Sequence, residues 1–197
     1  MATLEPSTTG SLVARPKRAD ARRNYDKVLD SAREAFAEGG EATSLEEIAR
    51  RAGVGIGTLY RHFPNRQALL EAVYVGEVEE VCRSAGRLTE LEPWDALNAW
   101  FESLVGYLAT KRALAHELLD YMDMEAPLFK TCRAGLFEAG EPLLRRAQDA
   151  GAVRPDVTIA DVIQLVAGIG KIPTADQQQI EHILRIALDG LRYRPQA

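Results

Sequence analysis

The chain has 197 residues, 46% of them hydrophobic and 27% charged, with a formal net charge of −5; that is enough apolar material for one large or two small packed domains, which excludes a disordered chain. No apolar run approaches the roughly 20 residues of a membrane span and the first residues lack a secretory h-region, so the expectation is a cytoplasmic protein with no membrane partner. Cys82 and Cys132 are too few and too far apart for a disulfide framework or a metal ribbon, so they read as buried thiols and no metal or cofactor is expected.

The acidic total hides an uneven distribution. Residues 1 to 75 carry 11 Lys/Arg against 10 Asp/Glu, leaving 13 against 19 for the remainder. Residues 1–17 are rich in Ser, Thr, Pro and Gly without apolar period and read as a flexible basic arm. Arg15, Lys17 and Arg18 open a denser basic run that reaches Lys27. Such a run is either a solvated tail and helix face or an electrostatic footprint for nucleic acid.

From Asp20 the pattern turns helical. Tyr25, Val28, Leu29, Ala32, Ala35 and Phe36 recur at helical spacing until Gly39-Gly40. Ser44-Leu-Glu-Glu47 predicts a capping box opening a second helix that presents Leu45, Ile48, Ala49 and Ala52 to a core. Gly53-Val54-Gly55 breaks it, and a short third helix runs through Thr58, Leu59 and Phe63 to Pro64. An amphipathic helix follows from about Asn65 into the 80s, on Leu69, Leu70, Val73, Tyr74, Val78 and Val81. Pro93 starts a helix carrying Trp94, Leu97, Phe101, Leu104, Val105 and Leu108, and a short one covers Leu114, Leu118, Leu119 and Met122. After a loop at Asp123 to Glu125, a helix beginning near Pro127 reaches Ala150-Gly151, with Pro142 expected to kink it. Helices over about 157–170 and 175–192 close the chain, the second opened by Thr174-x-x-Gln177. Nothing reads as strand, so the fold class is all-α.

Two short helices joined by a glycine turn and supported by a third form the trihelical unit that places a recognition helix in the DNA major groove. Small residues are needed where the helices cross, and Ala49, Ala52, Gly53 and Gly55 supply them. On the third helix Leu59 and Phe63 face inward, leaving Thr58, Tyr60, Arg61 and His62 for DNA. His62 taken alone reads as a partly exposed helix residue without a role, and only its place in the motif turns it towards DNA.

The stretch SLEEIARRAGVGIGTLYRHFPNRQALLEAV, residues 44–73, resembles the signature of the TetR family of transcriptional regulators through IA, AGV, GTLY and HF at their spacings. In the C-terminal half, ATKR at 109–112, EPLLRRAQDAGAVRPDV at 141–157 and the closing LDGLR resemble the SbtR-like subgroup. The resemblance implies a helix-turn-helix domain over 18–64 and a helical effector-binding and dimerisation domain over 65–197. It assigns Gly55, Ile56, Gly57, Thr58 and Tyr60 to the major-groove surface and Ser44 and His62 to backbone phosphates. Arg66 stands where the family usually has a lysine. Gly-Ile-Gly at 55–57 departs from the family by offering few hydrogen-bonding side chains, so readout shifts to Arg61, Thr58 and apolar contact by Ile56. The resemblance also raises the functional reading of the basic arm, whose arginines would enter the minor groove.

Members of this family usually enclose an effector in the C-terminal domain. Trp100, Phe101, Leu104, Tyr107, His116, Tyr121, Met122, Arg133 and Phe137 are the candidate pocket residues, though aromatic and Met residues at helical spacing also make plain core. Dimerisation through the last helices would use Val162, Leu165, Val166, Ile169, Ile180, Ile183, Leu184, Ala187, Leu188 and Leu191. The function expected is that of a homodimeric repressor on a near-palindromic double-stranded DNA operator, released by a small-molecule effector. An activator, or a repressor without ligand, is the alternative within the class. An interaction module that has lost DNA binding is another. An enzyme is disfavoured, because His62, His116 and His182 are scattered and no HExxH, P-loop or nucleophile-elbow pattern occurs, leaving no catalytic residue to nominate.

Overall fold

The computed structural model describes residues 15–39, 43–113, 126–169, 172 and 176–192, and among these there are eight α-helices and no strand. The first, α1 (Ala19–Gly39), buries Tyr25, Val28, Leu29, Ala32, Ala35 and Phe36, the stripe set by its sequence period. The two short helices α2 (Leu45–Arg51) and α3 (Ile56–His62) pack on it and on each other. The long helix α4 (Arg66–Arg87) is capped by Asn65, whose Oδ1 accepts the Ala68 N–H at 2.8 Å. It packs on α1 and on both α5 (Pro93–Ala113) and α6 (Pro127–Asp149), and so belongs to the cores at both ends of the molecule. Each large apolar side chain it buries contributes on the order of 1.5–3 kcal/mol, and Leu69, Leu70, Val73 and Val78 are all fully enclosed.

Ion pairs supplement this packing. Arg33 of α1 binds Glu77 of α4, and Arg15 reaches Glu79 at 2.9 Å and Asp26 at 3.5 Å. Deeper in, the Trp100 indole N–H of α5 donates to the Val81 carbonyl of α4 at 3.1 Å. Against that indole lies Gly140 of α6, where a Cβ would stand 2.3 Å from the ring and 2.7 Å from Ile159 Cδ1. The glycine is therefore what lets α5 and α6 close. Helix α6 continues through Pro142 to Asp149.

Two amphipathic helices complete the body, α7 (Ile159–Ile169) and α8 (Gln177–Asp189). Thr158 and Asp161 form a reciprocal box at the start of α7, with the Thr158 N–H donating to Asp161 Oδ2 at 2.9 Å and the Asp161 N–H to Thr158 Oγ1 at 3.2 Å. Helix α8 begins two residues later than the sequence pattern suggests. Its cap is Asp176, which accepts the Gln179 N–H at 2.8 Å, whereas the expected cap at Thr174 lies outside the described residues. The expected short helix at 114–122 and the loop at 123–125 also lie outside them, as does Gly170.

The motif near residues 141–157 and the closing LDGLR meet in one joint. Arg146 donates to the carbonyls of Thr89 at 2.8 Å and Leu91 at 2.6 Å, tying α6 to the turn after α4. Gly151 turns the chain at φ 68°, and the Gln148 amide holds the Arg154 and Val157 carbonyls at 3.1 and 2.9 Å. Val153 bridges Arg192, the Arg154 N–H donates to the Leu191 carbonyl at 2.9 Å, and the Arg192 guanidinium sits 4.4 Å over the Trp94 ring. These residues fasten the start of α5, the α6–α7 turn and the end of α8.

Candidate nucleic-acid interface

The turn between α2 and α3 is built on Gly53, whose φ of 64° is the left-handed conformation that costs a side-chain-bearing residue. Ser44 caps α2 by accepting the Glu47 N–H at 3.1 Å, which is the serine half of the expected box. The Glu47 carboxylate is taken by arginines on the next turn, Arg50 at 2.7 Å and Arg51 at 2.8 Å. Those two hydrogen bonds hold Glu47 down to about 2. Arg51 also reaches Glu38 of α1 at 2.6 Å. Both arginines of α2 are thus committed within the unit, and the outward chemistry is left to α3.

On α3, Leu59 is enclosed and Phe63, its C-cap, packs 4.9 Å from the Tyr25 ring. The opposite side carries Ile56, 38% exposed, and Tyr60, 43% exposed, with Arg61 exposed and Thr58 half-buried. Gly55 is the N-cap of α3, and Gly57 lies in its first turn with open space where a side chain would stand. No acidic residue occurs in α3. The arrangement is a short, uncharged-to-basic helix held by a small core, with its polar and aromatic groups turned outward, as major-groove insertion requires.

Comparison with known proteins gives two family matches along the chain. Residues 28–73 match the model for bacterial regulatory proteins of the tetR family, and residues 92–193 match the C-terminal domain of SbtR-like transcriptional regulators. The chain belongs to the TetR family. Among solved structures it is 39% identical to the TetR transcriptional regulator SCO0520 from Streptomyces coelicolor, with 85% of this chain and 98% of that one covered and a TM-score of 0.75. It is 37% identical to a TetR transcription regulatory protein from Mycobacterium vanbaalenii, with 90% and 99% covered and a TM-score of 0.73. Its curated relatives include the HTH-type transcriptional regulator UidR of Escherichia coli strain K12, 27% identical over 155 residues that make up 75% of this chain and 78% of UidR. The protein is therefore a TetR-family DNA-binding transcriptional regulator and not an enzyme.

Other residues nominated from sequence sit differently within this TetR-family scaffold. His62 lies edge-on to Tyr25 at 5.8 Å, and burial, then the Arg61 charge, lowers its pKa. Arg66 is turned onto the Phe36 ring at 4.9 Å and donates to the Thr43 carbonyl, bracing α4 against α1. Lys17 and Arg18 are exposed at the head of α1, whereas Arg15 is held by Glu79 and Asp26.

In the body, Trp100, Phe101 and Leu104 are packed into the core, Arg133 is exposed and Phe137 half-buried; His116, Tyr121 and Met122 lie outside the described residues. The Tyr107 hydroxyl donates to that of Tyr74 at 2.9 Å, with the Phe129 ring tilted against Tyr74 at 4.9 Å. Burial raises the pKa of both phenols, so the pair stays neutral. Tyr74 was visible in the sequence only as one more apolar position of α4, because no local pattern reports a partner 33 residues away.

The stripe nominated for dimerisation divides. Val162, Val166, Ile169, Ile180, Leu184, Leu188 and Leu191 are buried inside the protomer, so they face its own core. Leu165 stands 38% exposed, with Ile183 and Ala187 half-buried on the flank. Ile186, which the stripe passed over, is the most exposed large hydrophobic residue among those described, at 59%. Its signal was an isoleucine lying off the period of its own helix.

Proposed function

We propose that this regulator is a cytoplasmic homodimeric repressor that occupies a near-palindromic operator. In this reading residues 18–64 read DNA, residues 1–17 act as a basic arm and residues 65–197 pair the subunits and receive an effector. The observation that carries it is the pairing of an outward helix α3 with two apolar side chains on the outside of α7 and α8, Leu165 and Ile186, which remain exposed after the inner stripe has closed the protomer's core. Joining those two helices from each chain about a two-fold axis gives a four-helix bundle, the ordinary closed solution for identical chains. It would set the two α3 helices at successive major grooves, roughly 34–36 Å apart. Replacing Leu165 and Ile186 together by glutamate tests this: sedimentation should give a folded monomer with weakened operator binding, and a double variant that remains a dimer on its operator defeats the proposal.

An effector would act by binding one subunit geometry better than the other, since only differential affinity shifts a population. The Tyr74–Tyr107 hydroxyl pair supports a hydrophobic or amphipathic effector, because it puts hydrogen-bonding groups within an apolar interior on the helix that also joins the reading head. The tight enclosure of Trp100, Phe101 and Leu104 favours the second reading, constitutive repression. A thermal-shift screen decides between them: a ligand that raises the melting temperature and releases DNA supports the effector, and a blank screen supports the second reading.

A further inference from the structure

We propose that Ile56 and Tyr60 read thymine 5-methyl groups, giving operator choice by this regulator an apolar component beside the polar groups of Thr58 and Arg61. The inference rests on α3 being the recognition helix and adds what that helix recognises. Five large hydrophobic residues are exposed among those described, and two of them, Ile56 and Tyr60, lie on this seven-residue helix. They stand one turn apart on the same flank, where side chains at i and i+4 are neighbours. Inward-facing Leu59 and Phe63 already close the small core, so neither Ile56 nor Tyr60 is exposed for want of a position inside.

Between them is Gly57. Its missing side chain would meet no atom within 4 Å, and it carries no left-handed backbone angle. Packing and conformation inside the protein therefore leave the glycine unexplained, although glycine within a helix is less stable than alanine. A surface that approaches α3 closely from outside explains it. Polar readout is thin at this edge: positions 55–57 offer no hydrogen-bonding side chain, and His62 is tilted back on Tyr25. The one apolar group that base pairs display in the major groove is the C5 methyl of thymine. An exposed isoleucine and tyrosine astride a bare glycine, on a helix without acidic residues, match that group and the polyanion that carries it.

The test uses the full-length protein and duplexes it enriches from a random library. Each thymine of the enriched site is replaced in turn by uracil, which preserves every hydrogen-bonding group and removes only the methyl. At one or more positions in each half-site, uracil should weaken binding about fourfold, the effect of one methyl-sized apolar contact. At those positions Ile56→Ala or Tyr60→Ala should bind thymine and uracil duplexes alike. Gly57→Ala should raise the melting temperature and still weaken the enriched duplex. Enrichment of a site at which uracil is tolerated everywhere overturns the proposal and leaves α3 as the recognition helix. Uracil sensitivity that survives in the Ile56→Ala, Tyr60→Ala double variant also overturns it. A library from which nothing is enriched overturns the DNA-reading assignment together with the proposal.

Discussion

The reading head and the helical body use apolar residues in opposite ways. In α1 to α3 a few side chains close a small core, and what remains outside is an operative surface: Thr58, Tyr60 and Arg61 are outward because Leu59 and Phe63 are inward. In the body the apolar supply exceeds what one face can hold. The inner stripe of α7 and α8 completes the protomer's core, and a second set, Leu165 and Ile186, is left over. Apolar residues on the same two helices thus differ in their surroundings, and burial rather than composition tells them apart.

The largest expected effect breaks this comparison directly. Leu184 is 2% exposed within its own protomer, so Leu184→Glu buries an unpaired charge and should lose cooperative folding, whereas Ile186→Glu should stay folded. Circular dichroism on the two variants side by side checks it, and a folded Leu184→Glu protein would place that residue outside the core.

Next comes the joint between α5 and α6. Gly140→Ala forces a methyl into an indole fixed by its bond to the Val81 carbonyl, and should cost about 1–3 kcal/mol of stability with the reading head's own surface unaltered. Urea denaturation measures the loss, and an unchanged midpoint would mean that the helices part without penalty.

On the reading head the same size of effect should appear in binding and not in folding. Tyr60→Ala or Thr58→Ala should weaken specific operator binding by about 1–3 kcal/mol at unchanged melting temperature. If the double variant binds its operator normally, α3 is not the recognition helix.

The smallest effect is electrostatic. The two arginines hold the Glu47 carboxyl at about 2 against an ordinary 4.5. A carboxyl lowered by folding contributes stability that is full above its unfolded value and disappears as pH falls towards the folded one. The reading head should therefore lose a small increment between pH 4.5 and about 2, and Glu47→Gln should flatten that limb. Because the ion pairs are exposed, added salt should shrink the increment as well. Thermal melts at stepped pH, with and without the substitution, would detect it, and parallel curves would remove Glu47 from the acid response.

Much of this protein was determined by its sequence alone, wherever the deciding interaction is local. Helical period placed the stripes of α1 and α4, the Ser44 cap and the Gly53 turn marked the start and end of α2, and GTLY and HF carried the resemblance to the TetR family that identified α1 to α3 as a DNA-binding unit. Local patterns were less complete where partners compete: Glu47 left the capping box half-made because Arg50 and Arg51 offer its carboxylate charge-assisted bonds. Tertiary structure alone decided what depends on residues distant in the chain. It turned Arg66 onto Phe36, held Arg15 on Glu79 and joined Tyr107 to Tyr74. It also sent Leu184 inward and left Ile186 outside, since a period of 3.6 fixes which residues share a face but carries no information about what that face will meet.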